Sequence, residues 1–88
     1  SGMKLKIKEF EALAKKRGYR GGKALMEELG AGKYAYSNLK RGCKIGYDLV
    51  KAIYNEFGPL TMLEVIDLEE ETLQSFKSKY ISVGGMLY

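Results

Sequence analysis

The stretch ALMEELGAGKYAYSNLKRG, residues 24–42, decides the fold because apolar side chains recur at helical spacing on both sides of a glycine-rich break. The stripe before the break is Leu25, Met26 and Leu29, and the stripe after it is Ala35, Tyr36 and Leu39. Glycines at 30 and 32 interrupt the helical pattern between the two stripes. The pattern predicts two short helices, at about 22–29 and 32–41, joined by a tight turn.

The second predicted helix has a polar and basic outer face. Tyr34, Ser37, Asn38 and Arg41 follow one another at i, i+3, i+4 and i+7, so they project from one side of a helix, with Lys33 at its start. Two short helices joined by a glycine turn, the second with such a face, meet the physical needs of a helix-turn-helix. In that motif the first helix crosses the DNA backbone and the second enters the major groove.

The remaining segments also favour helices. A stripe of Ile7, Phe10, Leu13 and Ala14 predicts a helix at about 5–17, and a stripe of Tyr47, Val50, Ile53, Tyr54 and Phe57 predicts one from 47 or 48 to 57. Leu60, Leu63 and Ile66 fit either a short helix or a strand. Capping and charge placement predict a final helix at about 68–80. No alternation of apolar and polar residues over the length of a strand stands out, so the expected class is all-α. Cys43 is expected to be buried or half-buried as a small apolar residue.

Charge divides the chain into two unequal parts. Residues 1–58 carry 13 Lys or Arg against 6 Asp or Glu, a net charge of +7, whereas residues 59–88 carry 2 against 5, a net charge of −3. This asymmetry indicates a basic working surface in the first part and an acidic extension behind it. Charge alone also fits an ordinary solvated surface.

Composition argues against an enzyme, a metal protein and a membrane protein. The chain of 88 residues contains no histidine and a single cysteine, which removes histidine-activated nucleophiles and the usual zinc ligand sets. We therefore expect no catalysis, no cofactor and no small-molecule ligand. No segment approaches the roughly 20 apolar residues of a membrane span, and a lone thiol suits a reducing cytoplasm.

At residues 24–42 and the following YDLVKAIYNEFG, the chain resembles the DNA-binding domain of Cro and lambda-repressor-like (Xre-type) regulators. The resemblance covers about residues 5–58 and rests on Leu25, Leu29, Gly30, Tyr36, Leu39 and Gly42. Three residues depart from it. The family usually has alanine at Met26 and valine or isoleucine at Tyr36, so the crossing of the two helices must repack around larger side chains. It usually has a Ser or Thr cap at Gly32, so the second helix is capped less well here.

The resemblance implies a lambda-repressor-like domain of four to five core helices at residues 3–58. The C-terminal helix within an extension at 59–88 is expected from capping and charge placement alone. It implies a sequence-specific transcriptional regulator of phage or mobile-element type. The expected base contacts are Lys33, Tyr34 and Asn38, because lysine suits guanine acceptors and asparagine can pair with adenine. The expected backbone contacts are Lys23, Ser37, Arg41 and Lys44.

The expected partner is double-stranded DNA, bound in the cytoplasm at the nucleoid. One recognition helix covers few base pairs, so we expect a homodimer on a two-fold symmetric operator, with residues 59–88 as a possible dimerisation element. Two alternatives stay open. The departures at Met26, Gly32 and Tyr36 would suit a protein-interaction module that keeps the scaffold without binding DNA. The basic surface would equally suit a structured-RNA binder.

Overall fold

Helices form where apolar side chains recur every three or four residues, and the computed structural model, which describes residues 2–68, has five of them. In chain order the elements are β1 Met3–Leu5, α1 Ile7–Lys16, α2 Gly22–Glu28, α3 Ala35–Lys40, α4 Tyr47–Phe57, α5 Pro59–Val65 and β2 Ile66–Leu68. The predicted helical class is confirmed in its main part. The all-α prediction missed a small two-stranded sheet.

The sheet joins the two ends of the described chain. β1 and β2 are antiparallel, and Leu5 lies opposite Ile66 while Lys4 lies opposite Asp67. Leu5 and Ile66 are buried, and Lys4 and Asp67 are exposed, as the alternation of side chains along a strand requires. The N–H of Ile45 also donates to the carbonyl of Met3 at 2.9 Å. The sheet therefore ties the loop before α4 to the amino end of the core.

The hydrophobic core continues past residue 58, where the sequence had suggested a domain boundary. Met62, Val65 and Ile66 are 1–2% exposed and belong to the same cluster as Phe10 and Ile53. Residues 60–66, which the sequence left as helix or strand, are both: α5 begins with Pro59 at its first turn and gives way to β2 at Ile66. Residues 59–68 thus complete the core.

Several sequence-based details were wrong at the start of α4 and α5. Cys43 is exposed, and Tyr47 and Leu60 are 70% and 67% exposed instead of inward-facing. Ile45, which the sequence had not singled out, is buried: it is 4% exposed, and its N–H donates to the carbonyl of Met3 in β1. The inward stripe of α4 therefore begins with Val50, one turn into the helix.

Of the predicted helices, the first begins later than expected, and most of the last one lies outside the described residues. α1 begins at residue 7, not 5, because the chain up to Leu5 is paired in the sheet. Of the predicted helix at 68–80, residues 69–80 lie outside the described residues, and Leu68 is the last residue of β2.

Candidate nucleic-acid interface

A glycine turn ends α2 and directs the chain into α3. Gly30 has φ +92°, a conformation that side chains with a Cβ rarely adopt. Its N–H donates to the carbonyl of Glu27 at 3.0 Å, and the N–H of Ala31 donates to the carbonyl of Met26 at 3.2 Å. This pair of bonds is a Schellman motif, which satisfies the last carbonyls of the helix. The predicted turn between the two helices is confirmed.

Helix α3 is shorter than predicted at its amino end. The sequence suggested a helix from about 32, but α3 begins at Ala35, and no side chain caps it. Gly32 offers no hydroxyl or amide to serve as a cap, and its carbonyl instead accepts the N–H of Ala35 at 3.2 Å in a turn. Lys33 and Tyr34 therefore occupy this turn, and both remain exposed.

The inward face of the two helices is buried as the sequence predicted. Leu25 and Met26 of α2 are 1% exposed, and Tyr36 and Leu39 of α3 are 4% and 7% exposed. The Tyr36 ring also lies beside Phe10 of α1, with 5.9 Å between ring centroids. Burial of these side chains holds α3 against α1 and α2, so its opposite face is left towards solvent.

The large side chain of Tyr36 fits because Gly22 has none. A Cβ placed on Gly22 would lie 2.5 Å from Tyr36 Cζ and 2.7 Å from Glu11 Oε2, well inside van der Waals contact. Gly22 is buried at the first position of α2. The hydroxyl end of the Tyr36 side chain therefore occupies the space that a side chain at position 22 would need.

A hydrogen-bond network links the first three helices at this point. The Tyr36 hydroxyl donates to Glu11 Oε2 at 2.5 Å. This bond, the Gly22 N–H and the charges of Lys15 and Lys40 lower the pKa of Glu11 below its ordinary 4.5, against the opposing effect of partial burial. Burial, followed by the bond to Glu11 and its negative charge, raises the pKa of Tyr36 well above its ordinary 10.0.

Removing the Tyr36 hydroxyl is expected to change how stability depends on pH. Because the pKa of Glu11 is lowered in the folded state, its carboxylate stabilises the fold above pH 4.5, and this stabilisation is lost as pH falls through the folded pKa. Because the pKa of Tyr36 is raised, its neutral hydroxyl stabilises the fold below pH 10.0, and this stabilisation is lost as pH rises through the folded pKa. Tyr36→Phe should therefore cost about 1 kcal/mol near pH 7 and less at pH 3. Urea unfolding at both pH values measures this.

Tyr47→Phe is the matched control, because that hydroxyl belongs to a side chain 70% exposed to solvent. It should leave the free energy of unfolding unchanged at both pH values. A Tyr36→Phe cost that is equal at pH 3 and pH 7 would show that the hydroxyl does not stabilise the ionised carboxylate of Glu11.

The outward face of α3 and its preceding turn brings together five of the seven predicted site residues. These are Lys33, Tyr34, Ser37, Asn38 and Arg41, and all five are exposed. The Lys33 ammonium lies 5.5 Å from the centroid of the Tyr34 ring, and Arg41 Nη2 donates to Asn38 Oδ1 at 2.5 Å. Residues 29–47 include four Lys or Arg and no Asp or Glu, so this segment contributes only positive charge to the surface.

The other two predicted contacts lie elsewhere. Lys23 is exposed in the first turn of α2 and lines a shallow cleft with Arg20 and Lys40, together with the carboxylates of Glu11 and Glu27. Lys44 is exposed after α3, and its side chain runs beside Gly2 at the amino end of the chain.

Arg20 and Lys40 are basic residues that the sequence-based selection missed. The Lys40 ammonium lies 5.3 Å from the centroid of the Tyr36 ring, which positions this charge over the junction of α2 and α3. Its place in the sequence, next to Arg41 in the last turn of α3, was the available signal.

The described residues contain no group of three or more His, Cys, Asp or Glu that could hold a metal ion. Among those same residues, no helix is long and apolar enough to cross a lipid bilayer. Comparisons of the chain with models of known protein families, with curated proteins and with solved structures gave no match.

Proposed function

We propose that the protein binds double-stranded DNA through α2, the glycine turn and α3, as a sequence-specific transcriptional regulator. The observation that carries the proposal is the exposed, acid-free face of α3 and its preceding turn. Its buried opposite side belongs to the core cluster shared with α1 and α2, so the face itself is turned towards solvent. Polyanions bind such a surface because Lys and Arg neutralise phosphates and release counterions.

The proposed contacts divide by position. Lys33 and Tyr34 stand at the tip of the turn before α3, where a side chain first meets the edges of bases in a major groove. Lys23 and Lys40, which line one cleft, and Ser37 on α3 are exposed and suit the phosphate backbone. A regulator of phage or mobile-element type, a homodimer on a symmetric operator and a location at the nucleoid follow from the resemblance and form part of the same proposal.

The second candidate is a protein-interaction module on the same scaffold. The exposed aromatic ring of Tyr34, 66% accessible at the tip of the turn, favours it, because aromatic side chains are common anchors of protein interfaces. The uniform positive charge of residues 29–47 favours nucleic acid instead. Binding to a nucleic acid should also weaken steeply with salt, whereas an aromatic anchor in a protein interface should respond little.

A lysine-to-alanine pair tests the proposed interface. We expect Lys33→Ala to weaken binding to a preferred duplex about tenfold or more, since a good base contact contributes about 1–3 kcal/mol. Lys16→Ala removes the same charge from the groove between α1 and α5 and should change affinity less than threefold. Fluorescence anisotropy with a labelled duplex measures both. Equal losses in the two variants would mean that only overall charge matters.

A further inference from the structure

The Arg41 side chain folds back along α3 instead of extending beyond its end. Arg41 is the residue that ends the helix, yet its Nη2 donates to Oδ1 of Asn38, one turn earlier on the same exposed face. Side chains on helices lean towards the amino terminus, so this geometry follows the natural direction of a helical residue. The guanidinium therefore lies beside Asn38 on the outward face.

This hydrogen bond engages the side-chain acceptor of Asn38. An asparagine that recognises adenine must accept the adenine N6–H with Oδ1 while it donates to N7 with Nδ2. In the structure, Oδ1 accepts from the charged donor of Arg41 with one of its two lone pairs, and the bond is charge-assisted, hence stronger than a neutral one. Asn38 then has its amide N–H groups to offer, and the pair presents mainly donors to an approaching base.

Resting on the DNA-binding function proposed above, we propose that Arg41 reads guanine and that Asn38 is the positioning residue that holds its guanidinium. This exchanges the roles that the sequence suggested, in which Asn38 contacted a base and Arg41 a phosphate. Guanine is the base whose major-groove edge offers two acceptors, O6 and N7, and a guanidinium contacts both at once. Holding the long side chain beforehand lowers the entropy lost on binding.

The surroundings of the pair support donors over acceptors. Ser37 and Lys33 are exposed on the same face, and residues 29–47 contain no carboxylate that would accept from the amino groups of adenine or cytosine. A guanidinium bound only to phosphate would contribute affinity without base preference. Base preference is therefore the property to measure, and the ratio of the affinities for a guanine and an adenine duplex separates this preference from total binding.

The test begins with a duplex selected from a random library by the wild-type protein. Affinity is then measured for this duplex and for copies in which each guanine in turn is replaced by adenine or by 7-deazaguanine, which lacks the N7 acceptor. We expect at least one guanine whose replacement weakens binding about tenfold or more. Arg41→Ala and Arg41→Lys should both lose this preference, because lysine lacks the planar fork.

Asn38→Asp is the decisive variant. A carboxylate at 38 still accepts from Arg41, so the guanine-to-adenine affinity ratio should stay within about threefold of wild type, although total affinity falls through repulsion of phosphates. Asn38→Ala should lower the ratio, and adding it to Arg41→Ala should lower it no further. Both residues are exposed, and circular dichroism on each variant should show wild-type helix content.

Three results would overturn the proposal. The first is a preferred adenine whose recognition is lost in Asn38→Asp, which would show that Asn38 reads a base directly. The second is an Arg41→Ala variant that weakens all duplexes equally, which would assign Arg41 to the phosphates. The third is the absence of duplex binding by the wild-type protein at low salt, which would remove the proposed function itself and is distinct from the other two.

Discussion

Gly22→Ala is expected to destabilise the domain by about 1–3 kcal/mol, although alanine normally favours a helix over glycine. The added methyl group would meet the Tyr36 ring and the Glu11 carboxylate at the buried start of α2. Relief requires movement of α3 or loss of the bond between Tyr36 and Glu11, and both contribute to the packing of the first three helices. Thermal or urea unfolding measures the change directly.

Gly32→Ala is the matched control, because a Cβ at Gly32 meets no atom within 4 Å. Its effect should stay within about 0.5 kcal/mol, as at most surface positions. A double-mutant cycle tests whether Tyr36 is the cause. In a Tyr36→Val background, Gly22→Ala should lower the free energy of unfolding by at least about 1 kcal/mol less than it does in the wild type. The same cost in both backgrounds would show that Tyr36 is not what excludes a side chain at position 22.

Ile66→Ala is expected to cost about 2–5 kcal/mol, the range found for buried large-to-alanine changes. Ile66 is 2% exposed, pairs with Leu5 in the sheet and lies in the core cluster. In a domain of this size such a loss is a large share of the total free energy of unfolding. Urea unfolding followed by circular dichroism gives the value.

Leu60→Ala removes a leucine from the same short apolar pattern and serves as the control. Leu60 is 67% exposed, so its truncation should change the free energy of unfolding by less than about 0.5 kcal/mol. Equal effects at 60 and 66 would contradict the inclusion of residues 59–68 in the core.

The helices could be predicted because their information is local. The spacing of Leu25 and Met26, and that of Tyr36 and Leu39, predicts the buried face of each helix from residues within one or two turns. The sheet could not be predicted in the same way. Each strand has only three residues, and the partners Leu5 and Ile66 are some sixty positions apart, so alternation within either segment carries too little signal.

The site shows a similar limit. The exposure of Asn38 followed from helical periodicity together with the burial of the opposite face, whereas Lys33 and Tyr34 are exposed in the turn before the helix. The spacing of Asn38 and Arg41 allowed them to meet, but spacing does not choose the rotamer that joins them. Nor could it show that Gly22 makes room for Tyr36, since that contact joins separate helices.

The central claim is that the basic face around α3 binds duplex DNA, and a salt titration of duplex binding tests it most directly. The log of the affinity should fall linearly with the log of salt concentration, with a slope of about −0.9 for each phosphate contacted, and the slope should become shallower by about one in Lys40→Ala. Absence of duplex binding at low salt, or a slope near zero, would contradict the claim.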